Sequence, residues 1–80
     1  MFSVYILYSE TKSKYYVGQT NDLQNRLNRH NSAQVTSTKY GIRWEVLYTI
    51  QVSTRTEAMF LETKIKKRGI KRYLEDIGYL

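Results

Sequence analysis

The sequence predicts an α/β domain of the α+β type: a small three-stranded, largely antiparallel sheet flanked by helices, in the order β-β-α-(loop or short helix)-β-α-α. Three observations carry this. Two short alternating stretches, Phe2 to Ser9 and Tyr15 to Gln19, are joined by a brief polar segment, the pattern of a hairpin. A third alternating stretch, Trp44 to Val52, stands alone later in the chain. Between and after the strands, apolar residues recur at three- and four-residue spacing, the period of a helix.

In the first strand Val4 and Ile6 alternate with Tyr5 and Leu7, so Tyr5 points away from the Val4 and Ile6 face. Glu10 to Lys14 closes the hairpin onto Tyr15, Tyr16 and Val17, all β-formers, and Gly18 lets the backbone turn or come close to another group. Tyr5 and Tyr16 then lie on neighbouring antiparallel strands; whether they share a face depends on a register that the sequence leaves open. A helix follows at once. Thr20 or Asn21 caps it, Asp22 puts a negative charge in its first turn, and Leu23 and Leu27 form its buried stripe. Arg26 and His30, four residues apart, share a neighbouring face.

Asn31 to Thr38, rich in Asn, Ser, Thr and Gln, reads as a loop or a short helical turn. In the third strand Trp44, Val46, Tyr48, Ile50 and Val52 alternate with Glu45, Leu47, Thr49 and Gln51, so the first set should form one apolar face with Trp44 as its largest contribution. Thr54 or Thr56 caps the next helix, whose stripe is Ala58, Leu61 and Ile65, with Glu62 beside it and Gly69 as its C-cap. A final short helix, Ile70 to Ile77, presents Lys71 and Arg72.

Eighty residues make one domain, 1–80, and a chain this short buries only roughly 60% of its unfolded surface, so its core is thin. The absence of cysteine excludes a disulfide, a thiolate nucleophile and a cysteine zinc site, and a single histidine excludes a multi-histidine centre. Apolar stretches are short and the first residues lack a basic leader, so neither a membrane span nor a signal peptide is expected, and the location is read as cytoplasmic.

The net charge of +6 most often means a nucleic-acid partner. Six of the thirteen cations, Lys64, Lys66, Lys67, Arg68, Lys71 and Arg72, fall in one segment, and Lys39 with Arg43 lead into the third strand. These eight are the expected contacts to a nucleic-acid backbone. Such contacts position a substrate and read no sequence. An acidic protein or a membrane surface would also bind a basic patch, although no amphipathic aromatic face beside it favours the membrane.

From Tyr15 to His30 the chain brings a strand-end tyrosine, a guanidinium and an imidazole around one turn, a combination suited to a phosphate. Val4-Tyr5-Ile6 and Tyr16-Val17-Gly18, spaced as two hairpin strands and followed by Arg26, His30 and Glu62, resemble the GIY-YIG nuclease family. The likeness covers essentially the whole chain, and is greatest to the small stand-alone bacterial proteins, similar to the catalytic domain of the structure-specific subunit that cuts branched DNA. Relatives in nucleotide excision repair and among intron homing endonucleases are more distant. Three positions depart from the pattern: Ser3 replaces the first glycine, Val17 the central isoleucine of the second motif, and Gln19 a lysine that several relatives carry.

The resemblance implies a divalent-metal-dependent endonuclease hydrolysing DNA phosphodiester bonds, with Tyr5 as general base, Tyr16 orienting the water or touching the phosphate, Arg26 on the scissile phosphate and His30 relaying a proton. It selects Glu62 as ligand to magnesium, with manganese as an alternative; magnesium keeps several waters, so one carboxylate suffices. An ion pair of Glu62 with Lys66 is the simpler role for that carboxylate. With no sequence-reading module in eighty residues, branched, flapped or nicked DNA is the expected substrate, and sequence-specific cutting would need a homodimer or a partner subunit. The rival functions are a non-catalytic nucleic-acid-binding module of the same fold and a basic protein-interaction domain.

Overall fold

The computed structural model describes all 80 residues. Strands β1 (Phe2–Ser9) and β2 (Lys14–Thr20) form the hairpin. They are followed by helix α1 (Leu23–Asn31), a 3-10 turn (Thr36–Gly41), strand β3 (Trp44–Val52) and helices α2 (Arg55–Arg68) and α3 (Ile70–Asp76). The central strand β1 pairs antiparallel with both neighbours, in the order β2-β1-β3, as the predicted fold class requires.

The hairpin register answers the question left open by the sequence. Tyr5 pairs with Gly18 and Leu7 with Tyr16, so Tyr5 and Tyr16 stand diagonally on one face of the sheet. Helix α1 is capped by neither expected residue: Asp22 is itself the N-cap, its Oδ1 accepting from the Asn25 amide at 3.1 Å. Thr20 instead accepts from the Asp22 amide through its hydroxyl, at 3.1 Å, and shapes the turn before the helix. A carboxylate at this position satisfies an orphan amide and meets the positive end of the helix dipole together.

Strand β3 departs further from expectation. Ile6 faces Tyr48 while Leu7 faces Val46, leaving Leu47 as the extra residue of a β-bulge. The alternation reverses there, so Trp44 and Val46 turn to one face of the sheet and Leu47, Tyr48, Ile50 and Val52 pack on the other. No single apolar face of β3 exists, and Trp44 anchors the smaller of two clusters. The Tyr79 hydroxyl donates to the Leu47 carbonyl at 2.9 Å, giving the bulged backbone a partner.

On the first face Val4, Ile6 and Val17 pack against Ala58, Ile65 and Leu74 from α2 and α3. Each of the valine, isoleucine and leucine side chains contributes about 1.5–3 kcal/mol when fully buried, and this is the larger of the two clusters. On the second face Tyr5, Leu7 and Trp44 meet Leu23 and Leu27 of α1. Thr54 caps α2 by accepting from the Glu57 amide at 3.1 Å, and Gly69, at φ 94°, ends it and leads directly into α3.

Candidate active site

The second face gathers the buried polar side chains of Tyr5, His30 and Thr38. His30 lies three residues after Leu27 and seven after Leu23, which places it on the buried stripe of α1 rather than beside it, and it is fully buried. Its Nε2 is 3.0 Å from the Tyr5 hydroxyl and its Nδ1 is 2.8 Å from the Thr38 hydroxyl. Thr38 donates its own hydroxyl proton to the Val35 carbonyl at 3.3 Å, so towards the imidazole it can only accept. Nδ1 therefore carries the ring proton, and Nε2 accepts from the Tyr5 phenol.

Thr38 is itself held in place. The Trp44 indole donates to the Thr38 carbonyl at 2.6 Å, and Asn31 clamps the Trp44 backbone, accepting from its amide at 2.6 Å and donating to its carbonyl at 3.0 Å. Gly18 supplies room. A Cβ there would come within 2.5 Å of the Tyr5 hydroxyl oxygen and 3.2 Å of Tyr16 Cε2, so only a glycine lets both rings lie as they do. The half-buried Tyr16 ring meets His30 edge-on at 5.0 Å between centroids, and Trp44 at 6.3 Å.

Burial, and then the neighbouring Tyr16 phenol, push the Tyr5 phenol well above its ordinary value; Arg26 opposes this and Glu62 adds to it. Burial, and then Arg26 and Arg29, hold His30 below its ordinary 6.5. Near neutral pH the pair is thus a neutral phenol donating to a neutral imidazole. Tyr5 is only 1% exposed, so its hydroxyl is closed to bulk solvent.

Glu62 stands on α2, in the layer opposite α1, and its charge opposes ionisation of the Tyr5 phenol. Its side chain is 21% exposed and pairs with Lys66 at 2.7 Å, the simple ion pair that its spacing allows. No group of three or more His, Asp or Glu side chains forms a metal cage. One partly open carboxylate fits a magnesium-like ion, which fills its remaining positions with water and substrate oxygens, and does not fit a structural zinc site. Of the five predicted residues, Tyr5, Tyr16 and His30 meet one another, and Arg26 and Glu62 act on the Tyr5 phenol through their charge.

Of the eight expected backbone contacts, Lys64, Lys67 and Arg68 line one groove along α2. Lys66 stands beside Glu62, whereas Lys64 and Lys67 occupy the outward side of α2 with Met59 and Phe60. Arg68 is engaged by Asp76 at 2.7 and 3.0 Å, and Lys39, Arg43, Lys71 and Arg72 are exposed. Met59 and Phe60, 54% and 75% exposed, add the apolar surface that the sequence reading did not expect beside the lysines. Sequence reasoning also missed Thr38 and Asn31. A buried histidine needs a partner at each ring nitrogen, and that requirement was the one available pointer to Thr38.

A family model described as the GIY-YIG catalytic domain matches residues 1–73. Among solved structures, the solution NMR structure of the UPF0213 protein BH0048 from Bacillus halodurans is similar, with a TM-score of 0.59 and 24% identity, covering 98% of this chain and 84% of that one. At that identity the likeness shows the fold. No curated protein matches the chain.

Proposed function

The chain belongs to the GIY-YIG family, and from that premise we propose that it is a divalent-metal-dependent endonuclease that hydrolyses DNA phosphodiester bonds and selects its substrate by structure rather than by sequence. The observation that carries the proposal is the buried hydrogen-bond chain from Tyr5 through His30 to Thr38. A sheet tyrosine kept only for packing needs one partner for its hydroxyl. Here the partner is an imidazole whose other nitrogen is fixed by Thr38, so its free lone pair faces the phenol.

Because the Tyr5 pKa is raised, a standing phenolate is not the reactive form. Tyr5 instead acts as a relay: an oxygen lone pair takes a proton from the attacking water while the phenolic proton passes to His30 Nε2. The His30 pKa, held low, keeps that nitrogen unprotonated and ready to receive it. Tyr16, on the open side of Tyr5, orients the water or touches the phosphate. Arg26 offers two parallel donors to the phosphate oxygens. Glu62 would hold the metal ion, whose charge would offset the negative charge that develops on the phosphoryl oxygens. Lys66 keeps that carboxylate compensated until then.

Cleavage is tested on a panel of branched, flapped, nicked, duplex and single-stranded DNAs with magnesium or manganese, and with EDTA, with Glu62→Gln run in parallel. The expected result is metal-dependent cutting, strongest on branched or flapped DNA, that Glu62→Gln abolishes while DNA binding in EDTA is retained. Cutting by Glu62→Gln at the wild-type rate would remove the metal-ligand role. Salt-sensitive binding without any cutting would establish the binding module instead.

A further inference from the structure

Beside the catalytic cluster, and sharing Tyr16 and Trp44 with it, lies a cleft of about 400 Å³. Its walls are Tyr16 and Trp44 from the sheet, Lys12 and Lys14 from the β1-β2 hairpin, and Ser37 and Tyr40 from the 3-10 turn. Gly41 forms part of it because the Trp44 ring lies directly over that residue, and a Cβ there would also come within 2.9 Å of the Ser9 Cβ. Three features are unusual together. Tyr40 is 73% exposed, which leaves a face of its ring open to a stacking partner. Two lysines line the cleft and no carboxylate does. Tyr16 belongs to this cleft and to the catalytic cluster alike.

We infer that this cleft is a subsite for one unpaired nucleotide of the substrate strand, with its base against Tyr40 and its phosphate towards Lys12 and Lys14. The inference rests on the nuclease reading for its position, since a nucleotide there would adjoin the phosphate held near Tyr16 and Arg26. A base offers its face to a protein ring only when it has left the duplex stack, and such stacking is tolerant of sequence because every base has such a face. The volume lies within the range of single small-ligand sites. Shape-selective recognition of flapped or branched DNA thereby gains a physical basis: the subsite rewards a strand with an unpaired nucleotide next to the cut.

The test separates binding from cleavage. Fluorescein-labelled oligothymidylate, oligouridylate and a blunt duplex are titrated in EDTA with the wild type, Tyr40→Ala, Tyr40→Trp and Lys12→Gln/Lys14→Gln, and read by anisotropy at several salt concentrations. Tyr40→Ala should weaken single-strand binding roughly 5- to 150-fold and leave duplex binding within about twofold. Tyr40→Trp should restore it. The double lysine variant should lower the magnitude of the single-strand salt slope by about 0.7 per lost phosphate contact. Comparing thymidylate with uridylate tells a DNA occupant from an RNA one. Unchanged single-strand affinity in Tyr40→Ala, or an equal loss on the duplex, overturns the subsite. Tyr40-dependent binding by a wild type that cuts nothing would uphold the subsite while refuting the nuclease reading; cutting without Tyr40 dependence would do the reverse.

Discussion

Replacing Gly18 with alanine puts the geometry of the site to a direct test. The backbone there lies outside the left-handed region, so alanine brings no torsional strain. The whole penalty comes from the new Cβ, which would sit 2.5 Å from the Tyr5 hydroxyl oxygen and 2.7 Å from its Cζ. Ordinary carbon contacts lie near ~3.5–4.0 Å, so the ring must move by about 1 Å. It has little freedom to do so, being packed against Leu7 and Trp44 and tied to His30 at its tip. Overpacking of this kind costs about 1–3 kcal/mol, and in a domain of this size each kcal/mol lowers Tm by about 4–8 °C, so a fall of about 4–24 °C is expected. A shift of ~1 Å at a reacting group also costs about a hundredfold in rate. Circular dichroism melts and kcat on the preferred substrate measure the two effects. In a Tyr5→Phe background the nearest clashing atom is gone, so Gly18→Ala should destabilise less there than in the wild type. An unchanged melt, or strict additivity of the two substitutions, would refute the packing of Tyr5 against Gly18.

Two further predictions concern His30. Since its pKa is lowered on folding, the unfolded chain takes up the proton first as pH falls below ~6.5, so stability should decline from about pH 7 to pH 5, and His30→Gln should flatten that decline. Melts across this range that run parallel for the two proteins would contradict burial of a neutral imidazole. Thr38→Val removes the acceptor of the His30 Nδ1 proton and strands a buried donor, at about 1–3 kcal/mol, with loss of the tautomer that receives the Tyr5 proton. Thr38→Ser should recover both stability and the pH-rate profile; if the valine variant keeps the wild-type profile, Thr38 does not set the tautomer.

Much of this was readable in the residues, for identifiable reasons. Strand periodicity and the Thr54 and Gly69 caps depend on neighbours in sequence, and the elements fall where those signals put them. The contact of Tyr5, Tyr16 and His30 was foreshadowed by a motif whose spacing is itself a local property. What escaped depends on contacts remote in sequence. His30 was placed beside the buried stripe because it was paired with Arg26; counting from Leu23 and Leu27 puts it on the stripe, and its burial then demands a partner such as Thr38. The basic segment looked like one patch in the linear chain, but a helix turns each residue by about 100° and sends Lys64 and Lys67 away from Lys66.

Leu47 shows why such remote contacts matter for the site. Without the bulge, strict alternation would carry Trp44 and Val46 to the same face as Tyr48 and Ile50, under α2 and α3. Trp44 could not then reach the Thr38 carbonyl, Thr38 would lose the anchor that holds it against His30, and the imidazole would be free to present either nitrogen to Tyr5. The extra residue separates two requirements that one face cannot meet. The aliphatic face, with both C-terminal helices, supplies the stability of a thin core. That leaves the aromatic face to bury a polar chain of tyrosine, histidine and threonine in which every member has a partner. In a domain this small the register of β3 is therefore as much a part of the proposed site as the side chains of Tyr5, His30 and Thr38.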